Sequence, residues 1–111
     1  MTAIQKQTVK VYLINFEGCT TRAGFWARIA RAFGLGASII FDGQGWTTLC
    51  ARMAKLTKCG YSVRIQIRGL EALHPILPNE SQNLLRILRA ASDHADDLRA
   101  EAIIGNAKWK I

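Results

Sequence analysis

The feature that most constrains this chain is the separation of its strand-like segments by long stretches with helical periodicity. Residues 9–16, VKVYLINF, are rich in β-branched and aromatic side chains and almost continuously apolar, which is typical of a central strand covered on both faces. Residues 63–68 alternate apolar and polar side chains, which predicts a strand with one buried face, at an edge or partly covered. Strands that are joined through helices run parallel with right-handed crossovers, so the sequence predicts an α/β fold.

Three helices are predicted between and after these strands. Residues 22–33 carry one apolar stripe, and a second stripe begins after the turn at residues 42–45. Pro75 and Pro78 predict a short loop, and Asn79 with Gln82 has the spacing of a capping box at the start of the third helix. A brief apolar run at residues 102–104 predicts a last strand.

These elements predict a small three-stranded parallel sheet packed with three to four helices. All 111 residues fit one domain, with a core of about residues 9–104 and a C-terminal tail at 105–111. Half of the residues are apolar, which is enough for a core without metal or disulfide support.

Cysteine usage and hydropathy predict a cytoplasmic protein. The three cysteines, Cys19, Cys50 and Cys59, form no CxxC pair, which suits neither a disulfide framework nor a zinc site. Residues 1–10 lack the apolar core of a signal peptide, and no apolar run approaches the about 20 residues that span a bilayer. No membrane partner is expected.

Positive charge is concentrated in one part of the chain. The formal net charge is +7, and residues 1–68 hold ten Lys and Arg residues against only Glu17 and Asp42. Such an excess favours a nucleic acid or an acidic protein as partner. Six basic residues lie off the apolar stripes of the first two helices and predict either an interface or a solvated face: Arg22, Arg28, Arg31, Arg52, Lys55 and Lys58.

The sequence predicts no catalytic residue, no metal site and no cofactor, so the chain is not expected to be an enzyme. His74 and His94 have no nucleophile or carboxylate at a recognisable catalytic spacing, and no phosphate-binding motif is present. Asp93 and Asp97 share a helix face and, with His94 or Asp96, form the weaker hypothesis of a metal-dependent hydrolase or nuclease. A solvated helix end is the preferred interpretation.

Several segments, in this order, resemble the barstar family. They are the strand at residues 9–16, the Arg-rich helix, the turn FDGQGW at 41–46 leading into TTLC, the strand at 63–68, the GLE at 69–71 and the helix from Asn79. The resemblance covers about residues 9–104. It implies an intracellular ribonuclease inhibitor with a three-stranded parallel sheet, in which the loop before the second helix and that helix plug the nuclease active site. The corresponding stretch here is about residues 41–52.

The chain departs from the family at two helix positions. Thr47 and Ala51 stand where the resemblance implies carboxylates that imitate substrate phosphate. The expectation is therefore an immunity or antitoxin protein that binds a nuclease toxin through a basic face recognising acidic surface. The predicted contact residues are Asp42, Gln44, Trp46, Thr47, Thr48, Arg52 and Lys55.

Two alternatives remain open at this stage. Trp46 lies on the apolar stripe of its helix, so it is also predicted as a core residue. The pI near 9.8 and the aromatic residues among basic ones favour, as the alternative function, a small basic nucleic-acid-binding protein. Trp109, between Lys108 and Lys110, could stack on a base or dock on a neighbouring subunit, although a flexible tail is the simpler expectation.

Overall fold

The computed structural model describes residues 9–111, and in them four strands form one sheet beside four α-helices and a short 3-10 helix. The elements are β1 (Val9–Asn15), α1 (Arg22–Phe33), the 3-10 helix (Ala37–Ile40), α2 (Gly45–Leu56), β2 (Ser62–Arg68), α3 (Leu70–Ile76), α4 (Pro78–His94), β3 (Leu98–Ile104) and β4 (Ala107–Lys110). The predicted α/β class is confirmed.

The sheet has four strands, so the prediction of three was wrong. The strand order is β1-β2-β3-β4, with β1, β2 and β3 parallel and β4 antiparallel to β3. The additional strand comes from residues 105–111, which were predicted as a tail. Gly105, at φ 61°, lets the chain reverse directly after β3, so that four residues with two lysines pair with that strand.

Helix ends follow the local sequence at α1 and depart from it near α3. Thr21 caps α1 by accepting a hydrogen bond from Gly24 N at 3.0 Å, and Gly34 ends the helix in the left-handed region at φ 65°. The predicted bounds of this helix are confirmed. Around Pro75, where a loop was predicted, α3 extends to Ile76, and α4 begins at Pro78 without a side-chain cap.

All four helices pack on one face of the sheet. Crossovers between parallel strands are right-handed as a rule, and two that add strands in the same direction place their helices on the same side. The burial of alternate strand residues agrees with this arrangement. The core forms there, between the helices and alternate strand residues such as Ile14, Ile65, Ile67 and Ala100. The opposite strand face is covered by no helix of residues 9–111.

The positions of β1 and β2 in the sheet are the reverse of those predicted. β1 is an outermost strand, and Val9, Val11 and Leu13 are 52%, 54% and 46% exposed. β2 lies between two parallel neighbours, with Val63, Ile65 and Ile67 buried. The alternation predicted for β2 is confirmed, whereas the continuous apolar run of β1 reflects an exposed apolar row and not a second covered face.

Candidate functional site

The loop between the 3-10 helix and α2 is ordered by local hydrogen bonds from its backbone amides. Phe41 N and Asp42 N both donate to Ser38 O, at 3.0 and 2.9 Å. Gln44 N donates to Asp42 Oδ1 at 2.8 Å, and Gly43 takes φ 72°. Asp42 and Gln44, both predicted as contact residues, are exposed, but the Asp42 carboxylate shapes the turn through one of its oxygens.

Phe41 is the most exposed large apolar residue of this loop and was missing from the predicted contact residues. Its side chain is 85% exposed. It borders a groove of about 330 Å³, whose other lining residues are Arg22, Ala23, Trp26, Ile39, Ile40, Gly43, Gly45 and Trp46. Its place in the FDGQGW turn was the available signal, but helical periodicity gives no information about a residue that precedes its helix.

Trp46 is both a core residue and a wall of this groove. Its ring meets the Trp26 ring edge-on, with centroids 4.6 Å apart, and lies 5.9 Å from the Phe25 ring. Phe25 stacks in turn on Phe16 at 5.2 Å. The indole is half-buried, so the loop is attached to an aromatic cluster that reaches the sheet.

The outward side of α2 is a strip of small residues that ends in two lysines. Thr47, Ala51 and Lys55 are exposed at successive turns, spanning ~12 Å along the helix axis. Cys50, Ala54 and Lys58 are also exposed, while Thr48 is half-buried. We call Phe41–Gln44, this side of α2 and Lys58 just beyond the helix the docking surface: residues 41–44, Thr47, Cys50, Ala51, Ala54, Lys55 and Lys58.

Three of the six basic residues predicted as an interface are engaged within the molecule. Arg22 Nε lies 2.7 Å from Glu80 Oε2. Arg28 Nη1 donates to Asn15 O and Glu17 O at 2.8 and 2.7 Å, and Arg52 Nη1 donates to Phe33 O. Within residues 9–111 the cations of the docking surface are therefore Lys55 and Lys58, and Arg52 serves to join α2 to the end of α1.

The carboxylates considered for a metal site do not assemble into one. Asp93, Asp96 and Asp97 are exposed, and no group of three His, Cys, Asp or Glu residues within 9–111 is placed to hold a metal ion. His74 is exposed on α3, and His94 borders an apolar groove of about 490 Å³ between α2 and α4. None of the helices in the described part of the chain is long and apolar enough to cross a membrane.

The predicted contact residues thus fall into two groups. Asp42, Gln44, Thr47 and Lys55 lie exposed on one continuous stretch, whereas Trp46, Thr48 and Arg52 are half-buried on the inner side of α2. Comparison with protein-family models, curated proteins and solved structures finds no match for this chain.

Proposed function

We propose that the chain is an immunity or antitoxin protein that binds a nuclease toxin through the docking surface and so blocks access to the active site of the toxin. The segment order and the FDGQGW turn, which resemble the barstar family, support this function. The proposed surface overlaps the stretch, about residues 41–52, that the resemblance assigns to nuclease binding, and extends beyond it to Lys58.

The observation that carries the proposal is the exposure of Phe41 on a loop of fixed shape. An aromatic side chain that is 85% exposed leaves most of its apolar area in water. Aromatic anchors of this kind supply much of the affinity at protein interfaces when they enter a pocket of the partner. Because backbone hydrogen bonds already hold the loop, binding loses little conformational entropy.

The chemistry of the α2 strip defines how the inhibitor acts. Thr47 and Ala51 carry no negative charge, so this helix does not imitate a phosphate group. Their small side chains allow close approach of a partner surface, and Lys55 with Lys58 suits acidic residues around the nuclease active site. Inhibition therefore arises from covering the entrance to the active site.

The first test is an activity assay with the product of the neighbouring reading frame. Its cleavage of a fluorogenic RNA should be inhibited by this chain, and Phe41→Ala should raise the inhibition constant about 30-fold, as for a hot spot of about 2 kcal/mol. Tyr61→Ala, which removes another exposed aromatic ring, is the matched control and should leave inhibition unchanged. Equal effects of the two variants, or uninhibited cleavage, would contradict the proposal.

The lysines of the docking surface have a separate test. Lys55→Glu with Lys58→Glu should slow association with the toxin about 10-fold at low salt, and the difference should shrink as salt increases. Arg86→Glu with Arg89→Glu, on the exposed side of α4, makes the same change in net charge elsewhere. Stopped-flow association rates that fall equally for both double variants would assign the effect to net charge instead of to this surface.

A further inference from the structure

The sheet face opposite the helices combines exposed apolar residues with an excess of basic residues. The strand register places on it Val11, Leu13, Arg64, Gln66, Arg68, Arg99, Glu101, Ile103, Lys108 and Lys110, and we call this set the open face. Parallel strands are nearly always covered on both sides, yet Val11 and Leu13 are 54% and 46% exposed. No helix of residues 9–111 covers this face of the sheet.

The open face carries five cations and one carboxylate. Glu101 Oε1 lies 4.0 Å from Arg64 Nε and accepts a 3.3 Å hydrogen bond from Gln66 Nε2. Among the described residues, Arg68, Arg99, Lys108 and Lys110 form no ion pair. Asp96 and Asp97 lie beside Arg64 and Arg99 at the end where β2 and β3 begin, so the positive excess is greatest at the other end, around Arg68 and Lys108.

All five cations of the open face lie on β2, β3 and β4, and we call them the cationic strip. The two exposed apolar residues of this face, Val11 and Leu13, lie on β1 and form the apolar strip. Arg64 and Arg68 are four residues apart on β2, or ~13 Å. Arg68 and Lys108 lie on either side of Ile103, two strand spacings or ~10 Å apart. Next to this cationic strip, Val11 and Leu13 pair in register with Arg64 and Gln66.

We propose that the open face binds single-stranded nucleic acid, with phosphates on the cationic strip and bases against Val11 and Leu13. A polyanion with closely spaced charges neutralises several cations at once, and the release of its counterions favours binding. A duplex hides its bases, and this flat surface has no helix that could enter a groove, so the apolar strip favours an unpaired strand. A second copy of the chain would bring like charges together on this face.

This site lies on the side of the sheet away from the docking surface, so its test does not depend on a toxin. Fluorescence anisotropy with labelled 12-nucleotide oligo(dT) and oligo(U) should show affinity falling about 50-fold between 50 and 200 mM salt, as expected for about four phosphate contacts. Arg68→Gln with Lys108→Gln should weaken binding and reduce that fall to about 7-fold. The control, Arg86→Gln with Arg89→Gln on α4, should leave the salt dependence unchanged.

The apolar strip is tested separately. Leu13→Asn should lower affinity for the single strand about fivefold while the salt dependence stays the same, because no ionic contact is lost. A 12-base-pair duplex should bind more weakly than the single strand. The proposal is overturned if the control pair alters the salt dependence as much as the open-face pair, if the duplex binds as tightly as the single strand, or if poly-glutamate binds this face with equal affinity.

Discussion

Because Gly45 has no side chain, the first turn of α2, next to the docking surface, can pack closely against the core. A Cβ at this position would lie 2.7 Å from Trp26 Cζ2 and 2.8 Å from Trp26 Cε2. Trp26 is 7% exposed and packs against Trp46, so its ring cannot move away alone. The first residue of α2 is therefore constrained by tertiary packing and not by helix propensity.

We expect Gly45→Ala to lower the free energy of unfolding by about 1–3 kcal/mol, because the methyl group overpacks the contact with Trp26. Urea denaturation followed by tryptophan fluorescence measures the change. Gly36→Ala is the control, since Gly36 has φ −65° and its added Cβ would meet only Ser38 Oγ, at 3.9 Å. That substitution should raise stability by about 0.4–1 kcal/mol, and an equal loss in both variants would contradict the packing argument.

Among the elements, α1 is hydrogen-bonded to the end of β1 through one side chain. Arg28, on α1, donates from Nη1 to Asn15 O, at the end of β1, and to Glu17 O beyond it. Because β1 is an outermost strand, these carbonyls lie where a further strand would otherwise donate hydrogen bonds to them. The guanidinium thus satisfies backbone groups at the end of the strand, a structural role for a residue predicted as part of an interface.

Arg28→Met should lower the free energy of unfolding by about 1–2 kcal/mol, because the hydrogen bonds to two carbonyls are lost while the packing volume is retained. Arg31→Met, one helical turn away and exposed, removes the same charge without a hydrogen bond among the described residues. The urea unfolding midpoints of the two variants distinguish the loss of the hydrogen bonds from the loss of a positive charge. Equal midpoints would mean that Arg28 acts only through net charge.

Elements with strong local signals could be predicted from the sequence, and elements set by pairing could not. Thr21, Gly34 and the stripe around Phe25 determine α1, and its predicted ends hold in the structure. β4 has four residues and two lysines, too short and too polar for a periodic signal, and only its pairing with β3 makes it a strand. Hydropathy likewise gives no information about the order of strands in the sheet, which is why β1 was predicted in the centre.

The candidate site also has some features that the sequence predicts and others that depend on the tertiary structure. The turn at Asp42 and the core position of Trp46 follow from residue type and helical spacing, and both agree with the structure. The engagement of Arg28 and Arg52 could not be predicted, because their partners lie 13 and 19 residues away in sequence and meet them only after folding. The clustering of cations on the open face could not be predicted either, because it depends on the strand register.

For the whole molecule, stability should decrease from the middle of the sheet to its edges. β2 is paired on both sides, and Ile65 and Ile67 are fully buried, whereas β1 and β4 are each paired on one side only. In hydrogen exchange followed by NMR, the amides of Val63, Ile65 and Ile67 should exchange slowest, at a rate set by global unfolding. Amides of β4 that exchange as slowly as these would contradict this gradient.

The two outer strands also differ in how they would meet another copy of the chain. β4 carries Lys108 and Lys110, and lysines on an outer strand discourage intermolecular strand pairing. β1 has the apolar row at Val9, Val11 and Leu13, and Lys10 is the only charged residue of this strand. A sheet that continues through many chains needs two outer strands that can pair with another copy. Pairing through one outer strand alone is two-fold symmetric and ends with a dimer. Among residues 9–111, β1 is thus the outer strand that favours pairing, so strand-mediated self-association is expected to stop at two chains.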